Sequence, residues 1–472
     1  MSEIVVTPVR WNPRGEAEAV HPDRPPLRIW GGIPGEKARV KIVHRGEHSV
    51  AGKALGPVQP SPHRKDPGCD KWSACGGCAL LHVDGPGQES ARRALVAQAF
   101  TDEGVAVPLG VYHPSPQGAA DFRHVIKLGV GWSDNRHLRV GAWGRGDRHI
   151  VPIPQCPVTA PVLRKTMVST AHWIIEGEIW PWDPETQQGT LRAVVLRASR
   201  TTGEVLVTFV AGRHTPALER LAQEISGAVS EVVGVFLHIN DTPGNAIYTR
   251  DEQGVVGVTR LTGKDWIEEK LGDTTYRVGP GDFFQTNPAM AEVLFEDVVR
   301  RLDPQADDAV VDLYCGVGGI ALAAAREAGF VVGIEEVEGA VQRAKESARI
   351  NRRNAEFQVG PVLELLPPLA ARLAGTGPKV AVNPARRGLE PGVVAAIAAL
   401  GPERVVYVSC NPRALARDLK AFQALGFTVD GDLSLFDMFP NTPHVETVLT
   451  LRGPVVDEPK RRAPRRKVVR GG

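Results

Sequence analysis

From Phe283 onward the chain alternates apolar runs of strand length with amphipathic stretches of helix length, and this regularity restricts the fold more than any other feature. The reading predicts helix 289–302, strand 310–313, helix 320–328, strand 330–334, helix 339–351 and strand 356–359. Helix 363–373, strand 379–382, helix 393–400, strand 404–409 and helix 412–425 follow, with a last strand pair at 427–430 and 445–452. Alternating β and α elements imply an α/β domain with a parallel, doubly wound sheet. Open sheets of this kind bind ligands beyond the carboxyl ends of their strands. Residues at those ends are therefore the first candidates for chemistry.

Two strand ends stand out. Val310-Val311-Asp312-Leu313 opens into Tyr314-Cys315-Gly316-Val317-Gly318-Gly319 and then a helix, a glycine loop able to bring backbone N–H groups close to a ligand. Glu335 closes the next strand, where a carboxylate bonds ribose hydroxyls. The loop lacks the third glycine of a dinucleotide fold, which favours S-adenosylmethionine over NAD. Cys410 ends the strand 404–409 and precedes Asn411-Pro412, and Asn383-Pro384-Ala385-Arg386 ends the strand before it. A thiol at the mouth of the sheet beside a nucleoside site suggests covalent catalysis.

Upstream, residues 5–58 alternate short β-like runs with turn residues, which suits a small OB-like barrel of five strands. Gly56 to Pro67 reads as a linker. Residues 69–275 are less periodic, with strands expected at 190–198, 204–210, 234–240 and 274–278 and a helix at 216–226. Within this region Cys69, Cys75 and Cys78 surround a Gly76-Gly77 pair, and Cys156 offers a fourth thiolate. Four thiolates fit a structural zinc or a [4Fe-4S] cluster, and spacing leaves both open.

The 472 residues carry a formal net charge of +2, but Lys460 to Gly472 holds seven basic residues and no acid, so the remainder carries −5. Contact with a polyanion must then come from local patches and from this tail. Six cysteines are too few and too unevenly spaced for a disulfide framework. The start has no signal-peptide pattern, and no apolar run is long enough for a membrane span. These points suggest a cytoplasmic protein without a membrane, and nothing calls for an obligate protein partner.

Phe283-Phe284-Gln285-x-Asn287, Asp312-Leu313-Tyr314-Cys315-Gly316, Asn383-Pro384-Ala385-Arg386, Ser409-Cys410-Asn411-Pro412 and His444-Val445-Glu446-Thr447-Val448 together resemble the RNA uracil-C5 methyltransferases. The N-terminal part resembles a TRAM domain through Ile33-Pro34-Gly35-Glu36 and the exit Ser61-Pro62-His63-Arg64-x-x-Pro67-x-Cys69. With four cysteines, the chain is most similar to the 23S ribosomal RNA branch, whose cluster is [4Fe-4S]. The resemblance implies a TRAM domain at 1–60, a central α+β iron-sulfur domain at 61–278, a Rossmann-like class I methyltransferase domain at 279–455 and a disordered basic tail at 456–472. It implies Cys410 as nucleophile, Glu446 as base, and Gln285, Tyr314, Glu335 and Asn383 as contacts to S-adenosylmethionine. Cys69, Cys75, Cys78 and Cys156 would hold the cluster, and the partner would be 23S rRNA or, as the alternative, tRNA. Phe284 and the Arg386 region would meet a flipped base.

Three positions depart from the family pattern: Asn383 replaces an Asp, Gly319 a frequent Asn, and Pro361 an Asn or Asp. They keep a non-catalytic RNA-binding paralogue in view. A radical-SAM methylthiotransferase is disfavoured because its Cys-x3-Cys-x2-Cys spacing is absent.

Overall fold

The computed structural model describes residues 2–454 except 22, 23, 134, 147, 148, 245 and 250–255. The basic tail expected at 456–472 lies outside the described residues. No described helix is long and apolar enough to cross a membrane.

The chain begins with a six-stranded sheet of β1 (Glu3–Val6), β2 (Arg10–Trp11), β3 (Ala17–His21), β4 (Arg24–Trp30), β5 (Lys37–Arg45) and β6 (Val50–Gln59), in the order β1-β5-β6-β4-β3-β2. Along β5 alternate residues are buried, and Ala38, Val40 and Ile42 pack with Ile29 into a small core, as the period of two dictates. β6 runs to Gln59 and pairs with β5, so the first part of the expected linker is strand. Val58 and the residues around it read as linker because the prolines masked the pairing.

Next come α1 (Gly85–Asp102), β7 (Leu109–His113), β8 (Val125–Trp132), β9 (Leu138–Trp143), β10 (Ile150–Val151), α2 (Pro161–Glu176), β11 (Leu191–Ala198), β12 (Val205–Ala211), α3 (Pro216–Ala228), β13 (Val232–Ile239) and β14 (Thr259–Gly263). Seven of these strands form a sheet in the order β10-β9-β8-β11-β12-β13-β14, with α2 and α3 contributing to one shared core. The hairpin β15 (Ile267–Leu271) and β16 (Thr274–Val278) leads into the last region.

That region contains α4 (Pro288–Leu302), β17 (Ala309–Leu313), α5 (Gly319–Ala324), β18 (Phe330–Glu335), α6 (Glu338–Ile350), β19 (Ala355–Val359), α7 (Val362–Arg372), β20 (Lys379–Val382), α8 (Val393–Ala399), β21 (Arg404–Ser409), α9 (Pro412–Ala424), β22 (Thr428–Val429), β23 (Leu433–Phe436) and β24 (Glu446–Arg452). Its sheet runs β19-β18-β17-β20-β21-β24-β23-β7, parallel from β19 to β21, with β24 antiparallel to β21. The strands are buried on both faces, α4, α5 and α6 contributing to one core and α7, α8 and α9 to the other. This is the doubly wound α/β architecture that the alternation predicts.

The expected division at 279 cuts across the packing. β7 adds to the edge of this sheet beside β23, and Val96 and Phe100 of α1 enter its core. The β15–β16 hairpin likewise contributes Ile267, Leu271, Tyr276 and Val278 to the opposite face. α1 and α2 were not expected. α1 starts at Asp84, whose carboxylate accepts from Gly87 N at 2.8 Å, but its buried face includes Gln88 and Arg92, so the apolar period is weak.

Candidate active site

The chain leaves Cys410 in the gap between a strand and a helix. β21 is an apolar run fully inside the sheet, and Asn411 caps α9 by accepting from Arg413 N at 3.3 Å, with Pro412 at the first helical position. Ser409 Oγ accepts from Asn411 N at 3.1 Å, and Asn411 Nδ2 donates to Arg386 O at 2.8 Å, which ties this turn to the end of β20. The antiparallel register pairs Ser409 with Thr447, and Thr447 Oγ1 donates to Ser409 O at 2.9 Å. Cys410 follows Ser409 and Glu446 precedes Thr447, and the Glu446 charge acts on the Cys410 thiol.

Burial governs the protonation of both groups. Glu446 is only 4% exposed, and loss of hydration pushes its carboxyl up from 4.5 to about 7. The Cys410 thiol rises to about 11, first through burial and then through the Glu446 charge, while Arg386 opposes both. His444 is driven down to about 4 by burial and by Arg386, Arg92 and Arg123, so its imidazole is neutral. Cys410, Arg386 and His444 open onto a cleft of about 720 Å³ whose other walls are Arg10 and Trp11 of the N-terminal sheet and Ala94 and Gln98 of α1. A thiol and a guanidinium at one cleft, with a buried carboxyl behind them that ionises near neutral pH, can perform nucleophilic addition followed by proton abstraction by the carboxylate.

A second, smaller cleft lies over the glycine loop. Gln285, Tyr314 and Asn383 line it together with Phe283, Asp312 and Gly316. Tyr314 holds φ +60, uncommon for a bulky residue, and Gly316 and Gly318 follow at +55 and +86. Glu335 is occupied within the loop: its Oε2 accepts from Gly316 N at 3.0 Å and its Oε1 from Val337 N at 3.1 Å. Asp312 accepts from Ala321 N at 2.8 Å through one oxygen, while its other oxygen and the Tyr314 hydroxyl are buried with no protein hydrogen-bond partner. Burial raises the Asp312 carboxyl to about 7. Such orphaned groups beside a cleft fit a ligand rich in donors and acceptors. Asp312 was not among the expected contacts, although its place at the strand end before the glycine loop was the signal for it.

One expectation shifts on structural grounds. Phe284 is 7% exposed and packs on Tyr276 at 5.6 Å between ring centroids while still lining the smaller cleft; Phe283 beside it is 67% exposed. The departure at Gly319 has a steric cause, because a Cβ there would come within 2.8 Å of the Phe295 ring. Pro361 stands as the N-cap of α7 without a side-chain cap bond.

Cys69, Cys75, Cys78 and Cys156 line one cavity of about 120 Å³. Burial raises Cys75 and carries Cys78 to about 12. Trp72 Nε1 donates to Cys78 O at 3.0 Å and its ring packs on Trp30 at 4.3 Å, which joins the cysteine turn to the N-terminal sheet. Among the described residues, no three His, Cys, Asp or Glu side chains stand close enough to hold a single metal ion.

Comparison with known proteins identifies the family. Residues 376–453 match the family model tRNA (Uracil-5-)-methyltransferase, and 304–372 match a methyltransferase domain model. An uncharacterized RNA methyltransferase of Gloeobacter violaceus is 35% identical, with 90% of this chain and 91% of that protein covered. One of Geobacter sulfurreducens is 32% identical, covering 90% and 85%. Among solved structures, the Pyrococcus abyssi tRNA (uracil-54, C5)-methyltransferase in complex with S-adenosyl-L-homocysteine aligns with a TM-score of 0.73 at 26% identity, over 95% of this chain and 100% of that one. With these matches and relatives of this length, the chain belongs to the RNA uracil-5-methyltransferase family.

Proposed function

We propose that the protein methylates carbon 5 of a uridine in RNA through a covalent adduct on Cys410. The observation that carries this reading is the nearness of buried Glu446 to Cys410, whose thiol its charge raises, with Cys410 itself at the mouth of the larger cleft. Carbon 5 of uracil is a weak nucleophile. The Cys410 thiolate adds to carbon 6, and the resulting enolate gives carbon 5 the electron pair with which it takes a methyl group. S-adenosylmethionine supplies that methyl when bound, over the loop where Gln285, Tyr314, Glu335 and Asn383 stand. Glu446, as carboxylate, then removes the carbon-5 proton, the carbon–sulfur bond breaks, and the thiolate leaves with the double bond restored. Arg386 favours the thiolate at the start and the end of the cycle.

Cys69, Cys75, Cys78 and Cys156 are read as the ligands of a [4Fe-4S] cluster in the central region. Four thiols around a shared cavity suit a four-iron cube better than one zinc ion, whose sulfurs would all lie about 2.3 Å from a single centre. Methylation transfers no electrons, so the cluster is structural. The N-terminal sheet is read as the TRAM domain, and the cytoplasm, where thiols stay reduced, suits six unpaired cysteines.

For the substrate, the TRAM-like start and the four cysteines favour 23S rRNA, whereas the Pyrococcus abyssi structure favours tRNA as the second reading. Mass spectrometry of ribosomal and transfer RNA from a deletion strain decides between them. Loss of one 5-methyluridine from rRNA supports the first reading and loss from tRNA the second; an unchanged profile in both refutes the proposed activity.

A further inference from the structure

The segment that delivers Glu446 into the site, residues 437–445, is held largely from outside the methyltransferase sheet. Arg92 of α1 is fully buried; its Nε donates to Thr442 O at 3.1 Å and its Nη2 to Phe439 O at 3.3 Å. The same guanidinium lies 3.1 Å from Asp437 Oδ1 and bonds the Tyr112 hydroxyl at 2.6 Å. One helical turn earlier, Gln88 accepts from Asn441 N at 2.9 Å and donates to Asn441 Oδ1 at 3.2 Å, across 353 positions of sequence. Leu80, two residues beyond Cys78, donates its N–H to Asn441 O at 2.9 Å. Gln88 also donates to Leu80 O and Val83 O, and to Arg92 it offers its oxygen at 3.2 Å.

These contacts form one buried polar chain from the cysteine turn through α1 to the residues before Glu446. A guanidinium offers five donors in a rigid fork, and here the fork bonds two carbonyls, an amide oxygen and a hydroxyl while its charge pairs with Asp437, which no other side chain can do. A buried charge is kept at a cost unless it is paired and hydrogen-bonded, so its presence here marks a position where geometry matters. The strand side of Glu446 is fixed by its pairing with Phe436 of β23, and the next residue, Thr447, by the ladder to β21. What remains to be set is the approach from the loop, and that is where Gln88, Arg92 and Asn441 act.

We propose that Gln88, Arg92 and Asn441 form a clasp that positions Glu446 against Cys410, so that α1 and the cysteine turn before it govern the breakdown of the covalent adduct. The clasp rests on the base role of Glu446 proposed above. Its members are positioning residues: they act through the loop, and their loss affects the proton-abstraction step more than methyl transfer. Misplacing a catalytic group by about 1 Å can cost on the order of 10²-fold in rate.

The test compares full-length Arg92→Lys and Asn441→Gly with Glu446→Gln. Arg92→Lys keeps the charge and loses the fork. Asn441→Gly keeps the left-handed backbone, φ +66, and drops the side-chain bonds to Gln88 and to Ala119 O. The probe is unmodified ribosomal and transfer RNA from a deletion strain, with labelled S-adenosylmethionine. Single-turnover methyl transfer and the protein–RNA adduct on denaturing gels are followed, with thermal melts to establish folding. Expected are near wild-type methyl transfer and adduct release slowed about 10-fold or more in the clasp variants. Should Arg92→Lys fail to fold, Asn441→Gly alone decides. Wild-type release from folded clasp variants, while Glu446→Gln traps the adduct, overturns the clasp and leaves the base role standing. Equal losses in transfer and release also overturn it, and an absence of trapping in Glu446→Gln removes both proposals.

Discussion

Replacing Glu446 with Gln separates two consequences of burying this acid. The carboxyl goes from 4.5 to about 7 through desolvation alone. An acid whose folded pKa is raised favours the folded state fully at pH below 4.5, and that contribution is lost as the pH climbs through about 7. At about 1.4 kcal/mol per unit the loss amounts to ~3 kcal/mol by pH 8. Gln has nearly the same shape and no charge to desolvate, so Glu446→Gln should melt close to wild type at pH 4 and be more stable by up to ~3 kcal/mol at pH 8. Function changes in the opposite sense. Without its base the adduct should persist, with release slowed about 10² to 10⁴-fold. In the wild type, release should fall about tenfold per unit below pH 7, as the ionised fraction does. Denaturant melts at the two pH values and denaturing gels of the RNA adduct measure the pair. A stability gap that does not depend on pH, together with rapid release of 5-methyluridine, would refute the argument.

Cys410→Ala should abolish methyl transfer and leave S-adenosylmethionine affinity near normal by calorimetry, because Cys410 lies at the larger cleft and not among the residues over the glycine loop. Arg386→Ala removes the charge that lowers the Cys410 thiol, so alkylation of that thiol should slow at pH 8 and its titration midpoint should move above about 11. Anaerobically purified protein should be brown with about four irons per chain. Cys78→Ser should lose the iron, and one zinc with no iron would overturn the cluster assignment.

Much of the site was readable because its residues sit where strands end. Val310 to Leu313, Lys379 to Val382 and Arg404 to Ser409 are apolar runs buried on both faces, and the residues that follow them must lie at the carboxyl edge. Asn411-Pro412 then marks a helix start, leaving Cys410 between the two elements. α1 was harder to see, since Arg and Gln are ordinarily surface residues, and Arg92 and Gln88 are buried by segments far off in the chain or outside the helix: 437–445, Tyr112 and the 80–83 turn.

Although it missed β23, a strand of four residues, the sequence by itself determined the order of strands and helices from 283 to 425, the chemistry available at each strand end, and the four thiols as a group. Those follow from local periodicity and residue type, which act over a few positions. Only the tertiary structure decided that β7 joins the sheet of the last region, that Phe283 and not Phe284 is exposed, that the Glu446 charge reaches Cys410, and that α1 bonds the segment before Glu446. Each of these depends on pairing between segments far apart in the chain, and burial in that pairing, more than residue type, sets the Glu446 carboxyl near 7 and strips Arg92 of water.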